Sequence, residues 1–392
     1  MLSAITVAKE TISFQDSPDP TVEPGHALVR VHNVTLCGTD LHIWEDDYPT
    51  ELPLIQGHEF SGIVEALGPE VTDPGVTALG VPGTSGRAAA GAASTAGAAG
   101  VTGRATSTGT TTGTAFSVGI GDRVAVNPII YCGQCRPCRI GRYNVCQNVG
   151  CLGCYSNGAF TELISVPVEK LCPVPDDLPL DIAAMGEPAS IAMQAVNRGR
   201  PEPGETALVL GSGPIGLLAT LYLTELGVNV ICADTEQHRL DLAVEFGAAD
   251  TLLVAPGTDF PDEHQTHRLD TLTDGYGPQL VIEATGVPSS LENAIRLVAS
   301  AGRIVQVGIS PRLANVSMKD IPYKELDLLG SRMSLNLIPE GLALLARHPG
   351  QARTLMTHRF AFSDLEKAYR LMQGRTEKIG KVLIQMPAGG TA

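Results

Sequence analysis

The chain is short of positive charge, of aromatic side chains and of long apolar runs. Its 392 residues carry 27 Lys and Arg against 42 Asp and Glu, a formal net charge of −15. That balance argues against a nucleic acid or an anionic membrane surface as partner and for a soluble protein. No run of 18 or more apolar residues occurs, so no membrane span is expected. Met1 to Glu10 has no basic segment leading into an apolar core, so no secretory signal is expected either. Aromatics make up 4% of the chain, beside 43% hydrophobic and 18% charged residues, a soluble globular composition. The length is enough for two or three domains, each with its own core.

Cysteine, by contrast, is plentiful. Nine cysteines without an export signal point to metal ligands or free thiols rather than to disulfides. Cys132, Cys135 and Cys138 stand at two-residue spacings, and Cys146 follows after seven intervening residues. Three such thiolates with a nearby fourth suit a closed, tetrahedral, structural zinc site. Cys151 and Cys154 then have no partners left and read as free thiols on a turn. A second group is more mixed: Cys37, Thr39 and His42 lie within six residues, and His58-Glu59 follows. A thiolate, an imidazole and a carboxylate make a set suited to a catalytic zinc with an open position. On these residues alone the alternative, a buried apolar-type Cys37 and a turn-capping His58, stands equally.

Along the chain, residues 1 to 35 alternate apolar and polar in short runs, His26 to Val31 among them, as short strands of an all-β region do. Gly62 to Gly68 continues that pattern, and Gly121 to Val126 reads as a turn feeding a strand. Residues 73 to 117 are mostly Gly, Ala, Ser and Thr, cannot bury a core, and read as a flexible surface insertion without chemistry. Asp181 to Arg198 reads as a helix broken at Glu187-Pro188, because a proline inside a helix removes a hydrogen bond. From spacing alone Glu187 is a solvated surface carboxylate. The apolar run Thr206 to Leu210 leads into Gly211-Ser212-Gly213-Pro214-Ile215-Gly216 and an apolar helix, and a second strand ends at Asp234, 23 residues past the first glycine. A glycine fingerprint between strand and helix, with an acid at that distance, marks a dinucleotide site. The acid would take the ribose 2′-hydroxyl and repel a 2′-phosphate, which favours NAD over NADP. The βα alternation continues through Leu280 to Gly286 and Arg303 to Gly308, with a last strand at Lys381 to Gln385.

In this order, over essentially the full chain apart from 73–117, the sequence resembles the zinc-dependent medium-chain dehydrogenase/reductase superfamily. The resemblance implies an α/β fold: a GroES-like β catalytic domain (1–187), a Rossmann doubly wound parallel-sheet domain (188–326) and a C-terminal return to the first domain (327–392). It implies two zincs, one held by Cys37, His58, Glu59 and Glu187, the other by Cys132, Cys135, Cys138 and Cys146. The Glu-Pro at 187 resembles the polyol, sugar-acid and threonine dehydrogenase branches, which replaces the surface reading of Glu187. Thr39 and His42 match a proton relay, and Glu59 the acid beside the metal. NAD would be held by Gly211, Gly213, Pro214, Ile215, Gly216, Asp234, Arg239, Thr285, Val307, Gly308, Ile309, Ser331 and Arg332, with Lys381 as a phosphate contact. Arg332 would also suit a substrate carboxylate. The implied reaction is oxidation of a secondary alcohol, a polyol or sugar acid, to a ketone. L-threonine 3-dehydrogenase and aminocyclitol dehydrogenase activities are alternatives, and a non-catalytic relative that keeps the fold is the reading from another class. A cytoplasmic homodimer or homotetramer is implied as well.

Overall fold

The computed structural model describes residues 1–69, 71, 118–255, 260–374 and 377–387. The insertion expected at 73–117 lies outside them.

Two sheets organise the chain. The first is built from the short alternating segments at the N-terminus and closes with the last strand of the chain. Its order is Met356–Ala361, Lys381–Gln385, His26–Leu36, Glu59–Leu67, Arg123–Val126 and Leu171–Pro173, with Leu163–Pro167 also paired to His26–Leu36. Val29, Val31 and Val34 are buried along the long central strand, and Phe60 and Val64 join them from its neighbour. The single tryptophan has a specific use here. Trp44 and Tyr369 are fully buried and stack with ring centroids 5.2 Å apart. They fasten the helix Gly38–Trp44 to the C-terminal helix Leu365–Gly374, a large apolar contact for two side chains.

The second sheet is six-stranded and parallel throughout, in the order Asp250–Leu253, Asn229–Asp234, Thr206–Leu210, Leu280–Glu283, Arg303–Gln306 and Asp327–Gly330. Taken in chain order its strands run 3-2-1-4-5-6, the doubly wound arrangement whose switch point falls between the first and fourth strands. Thr206 to Leu210 are buried at every position, as a central parallel strand requires. The apolar core runs on across the seam, where Ala125 and Cys172 of the first sheet, and Leu178 in the loop after it, pack with residues of the second.

Two sequence expectations change. The helix expected over 181–198 is two helices, Leu180–Ala183 and Gly186–Gly199, and the break precedes Glu187-Pro188. Pro188 sits in the first turn of the second helix, where its missing N–H has no intrahelical partner to lose. The chain also returns later than position 327. Asp327–Gly330 is still the edge strand of the parallel sheet, and the first sheet is rejoined only at Met356–Ala361.

Candidate active site

Cys37 follows the central strand of the first sheet and caps the helix Gly38–Trp44. Its backbone N–H donates to Asp40 Oδ2 at 2.9 Å, closing a capping box that aims the buried Asp40 back at the site. Asp40 Oδ1 lies 3.3 Å from Nδ1 of His58. An imidazole held at Nδ1 by a carboxylate presents its other nitrogen as a fixed ligand. Glu59 follows as the first residue of the next strand. Sγ of Cys37, a ring nitrogen of His58 and a carboxylate oxygen of Glu59 lie within 4.8 Å of one another. The sequence reading singled out these three but passed over Asp40.

Glu59 is 1% exposed and heavily engaged. Lys381 Nζ donates to its two oxygens at 2.6 and 2.5 Å, and Thr35 donates to Oε2 as well. The third Lys381 contact is the Leu36 carbonyl at 3.0 Å. Lys381 therefore lies in the first sheet with its ammonium fully taken up, which leaves no donor for the cofactor phosphate expected there. Burial pushes its pKa down, but Glu59 and Cys37 outweigh that and hold the group charged. Lys381→Met should leave Glu59 buried without a counter-charge and cost about 3–5 kcal/mol. A shift in the urea unfolding midpoint checks this, and an unchanged midpoint would refute it.

Glu187 approaches the same pocket from the first turn of the Gly186–Gly199 helix. Burial, and next the Glu59 carboxylate, push its carboxyl up to about 8. A pocket that crowds two carboxylates and a thiol in this way is short of positive charge, and the donor set fits a zinc ion. Thr39 and His42 stand one helical turn apart in the Gly38–Trp44 helix. His42 is exposed, with Nδ1 2.8 Å from Asp47 Oδ1.

Cys151 and Cys154 are buried and border this site; Cys151 ends the short strand Gly150–Cys151, and only Cys154 lies on the turn expected for both. Gly153 has φ +78°, and a Cβ there would stand 2.5 Å from the Gly57 carbonyl oxygen. That close backbone approach brings Cys154 Sγ to 3.6 Å from His58 Nδ1, with Cys151 Sγ 3.4 Å from Cys154 Sγ. No spacing rule brings these residues together.

Four further cysteines form a separate cluster. Cys132, Cys135, Cys138 and Cys146 present their sulfurs within 4.8 Å of one another, with separations of 3.4, 3.5 and 3.8 Å between three of the pairs. A tetrahedron with bonds of about 2.3 Å needs sulfurs roughly 3.8 Å apart. Backbone N–H groups of Gln134 and Cys135 pull the Cys132 thiol down to about 6, toward the thiolate that a metal takes.

At the switch point the glycine loop is shaped for a phosphate. Gly211 has φ +96°, and a Cβ on Gly216 would lie 1.8 Å from the Gly211 carbonyl oxygen, so both must be glycine. A Cβ on Gly213 would meet nothing within 4 Å, which leaves open space before the helix Pro214–Glu225. The bare backbone and the helix N-terminus are what a pyrophosphate uses. Asp234 ends the next strand, with Oδ2 accepting from Ser212 N at 2.7 Å and Oδ1 from Glu236 N at 2.9 Å. Arg239 Nη1 is 3.8 Å from Oδ2. Across the switch point, the fully buried Glu283 was missed from sequence. It accepts from Thr285 N at 2.9 Å, from Gly286 N and from Gln306 Nε2, and so shapes the turn that carries Gly286 against Gly308 and Ile309. Ser331 and Arg332 lie beyond the edge strand, where Asn144 Nδ2 holds the Arg332 carbonyl at 2.7 Å.

Comparison with known proteins agrees with this geometry. The family described as zinc-binding dehydrogenase matches residues 214–347, and the alcohol dehydrogenase GroES-like domain matches 23–103 and 98–176. The starvation-sensing protein RspB of Escherichia coli K12 is 31% identical over 98% of this chain and 99% of its own length. L-galactonate-5-dehydrogenase of the same organism is 30% identical over 89% of this chain and 88% of its own. The crystal structure of the alcohol dehydrogenase rspB from E. coli CFT073, complexed with NADH, superposes with a TM-score of 0.80 at 29% identity, covering 98% and 99% of the two chains. The chain belongs to the zinc-binding alcohol dehydrogenase family, as the sequence resemblance implied. It is an oxidoreductase that acts on CH–OH donors.

Proposed function

We propose that this enzyme oxidises a secondary alcohol of a polyol or sugar acid to a ketone, with NAD as hydride acceptor. The observation that carries the reading is the convergence of Cys37, His58 and Glu59 on one pocket, with Glu187 as the fourth ligand of the proposal. Those residues would hold the zinc, which as a Lewis acid lowers the pKa of a bound hydroxyl. Asp40 keeps His58 in one orientation, and Lys381 offsets the charge of Glu59. Thr39 takes the proton of the alcohol and passes it toward His42 and solvent, where Asp47 holds the imidazole. The glycine loop and Thr285 position the nicotinamide cofactor, whose ring accepts the hydride. Cys132, Cys135, Cys138 and Cys146 would hold a second, structural zinc. The identity with L-galactonate-5-dehydrogenase favours a sugar acid over L-threonine or an aminocyclitol as substrate.

Asp234, at the end of its strand, is the residue that chooses between NAD and NADP in this reading. Asp234→Asn keeps the shape but removes the charge. The preference for NAD should fall about tenfold, the value of one charged hydrogen bond. The ratio of kcat/KM for the two cofactors is the measurement, and an unchanged ratio would remove Asp234 from this role.

We further propose a cytoplasmic homodimer or homotetramer. Ile309, Leu313, Met318 and Tyr323 are more than four-fifths exposed near the open edge strand Asp327–Gly330, an apolar surface suited to a second copy. Among the described residues no helix is long and apolar enough to cross a membrane.

The reaction is tested by NADH absorbance on mixing the zinc-loaded protein and NAD+ with polyols, sugar acids, aminocyclitols and L-threonine. Chelator-sensitive turnover confined to sugar acids or polyols supports the proposal. Turnover of L-threonine or an aminocyclitol alone overturns the substrate assignment.

A further inference from the structure

Cys151 and Cys154 belong neither to the four-cysteine cluster nor to the donor set around Cys37. Both are free thiols, yet their sulfurs stand 3.4 Å apart. The backbone brings them together. Cys154 N–H donates to the Cys151 carbonyl at 3.1 Å and closes a four-residue turn with Leu152 and Gly153 at its centre. Gly153, at φ +78°, supplies the left-handed conformation that the third position of a type II turn requires. Such a turn holds its end Cα atoms within about 7 Å, and a disulfide spans about 4.4–6.8 Å. Packing alone does not call for sulfur here. The pair lies in a small apolar cluster with Ile43 and Leu54, against Tyr48, Leu52 and Met333, where a buried cysteine acts only as a small apolar side chain.

The turn is tied to the segment that carries His58. Gly158 N donates to the Ile55 carbonyl at 2.7 Å, Ala159 N to that of Gly57 at 2.9 Å, and Ile55 N to Asn157 Oδ1 at 3.1 Å. With the backbone fixed in this way, Cys154 Sγ faces the same His58 nitrogen that Asp40 holds, at 3.6 Å against 3.3 Å. On the outer side Tyr48 packs against the cluster, and its hydroxyl lies 2.9 Å from that of Tyr155, which is 37% exposed. Cys151 is 5% and Cys154 4% exposed. The pair therefore sits just beneath the surface, under a cover that shuts out bulky oxidants and parts for one of the size of hydrogen peroxide.

We propose that Cys151 and Cys154 are a modification site for a small hydroperoxide, which closes them to a reversible disulfide and loosens the zinc held by His58. One sulfur attacks the peroxide: its S–H bond and the O–O bond break, a sulfenic acid forms and water leaves. The second sulfur attacks the sulfenic sulfur: its S–H bond and the S–O bond break, the S–S bond forms and another water leaves. The two thiols give up two electrons and two protons, and hydrogen peroxide becomes two waters. Closing shortens the 3.4 Å gap to about 2.05 Å and pulls Cys154 toward Cys151. A disulfide sulfur carries neither a proton nor a charge, so Nδ1 of His58 keeps only Asp40 as a partner. A metal-binding histidine that loses an outer partner binds its metal about 10- to 100-fold more weakly. The disulfide is independent of the catalytic reading, whereas its effect on zinc rests on Cys37, His58 and Glu59 being the ligands.

To test this, the zinc-loaded, full-length protein is treated with hydrogen peroxide, its remaining thiols are blocked with N-ethylmaleimide, and its peptides are analysed by mass spectrometry. A link between Cys151 and Cys154 is expected, two hydrogens lighter than the dithiol and unblocked at both sulfurs. A chromogenic chelator should then remove one zinc per chain at least tenfold faster than before treatment, and dithiothreitol should restore the slow rate. The double variant Cys151→Ala/Cys154→Ala, verified as folded by its melting curve, should show no acceleration relative to its own untreated rate. Cys154→Ser serves the same purpose if the double variant does not fold. Absence of the disulfide at peroxide concentrations that leave the four-cysteine lobe intact overturns the proposal. Equal acceleration in the variants also overturns it and assigns the oxidation to other thiols. A disulfide that forms without faster zinc release overturns the effect on zinc, and the peptide mass distinguishes that result from failure of the modification itself.

Discussion

Replacing His58 by alanine is expected to lower turnover by about 10³-fold or more, equivalent to roughly 4 kcal/mol of transition-state stabilisation. Metal content should fall from about two zincs per chain to about one, because the four-cysteine cluster keeps its own ligands. The variant loses more than a ligand. Asp40 is fully buried, with Oδ1 3.3 Å from His58 Nδ1, so its carboxylate would remain with one oxygen facing a void. Asp40→Asn separates the two effects: the capping residue keeps its shape while the charge that steers the imidazole is lost. A loss of about 10- to 100-fold in activity is expected from that change, with less effect on metal content than His58→Ala. Turnover of His58→Ala within tenfold of the parent enzyme would place the chemistry elsewhere.

The parts of this site differ in how far they were legible in the sequence. The cysteine lobe and the glycine loop could be read directly because each is a local pattern, whereas Cys37 and His58, 21 positions apart, were assigned only through the order of motifs along the whole chain. A zinc lobe is specified by the spacing of its thiols, and a phosphate loop by glycines between an apolar strand and an apolar helix. Strand positions were equally plain, since buried parallel strands such as Thr206–Leu210 are continuous apolar runs bounded by turns. What escaped was set by contacts between distant segments. Lys381 meets Glu59 across 322 positions because the last strand pairs with His26–Leu36, and no local pattern distinguishes that lysine from a phosphate ligand. Cys154 reaches His58 across 96 positions through the approach of Gly153 to Gly57. Glu283 looks like an ordinary strand residue, yet its carboxylate organises the turn beyond the switch point. Pro188 misled for a different reason. Its cost depends on where the helix begins, and the helix begins two residues before it.

The second large effect concerns the four-cysteine lobe. Cys146→Ser is expected to destabilise the protein by about 3–4 kcal/mol, and to lower its melting temperature by roughly 4–5 °C. The reasoning rests on how little else holds the lobe. Its helix, Arg136–Arg139, has no buried residue, so apolar packing contributes little there. The buried anchors are Tyr143, Asn144 and Cys146 at the end of the lobe. Three thiols remain after the substitution, but a structural zinc site with three sulfurs and a weak hydroxyl has lost its closed tetrahedron. The lobe should then open locally before the sheets do, since its remaining contacts are few. Trypsin will report that opening by faster cleavage after Arg139 or Arg142, while the parent protein resists. Because Asn144 holds the Arg332 carbonyl, the opening should also loosen the chain beyond the edge strand and lower activity without removing the zinc at His58. A Cys146→Ser protein that melts within about 2 °C of the parent and resists trypsin equally would show that packing at Tyr143 and Asn144, not metal, secures the lobe.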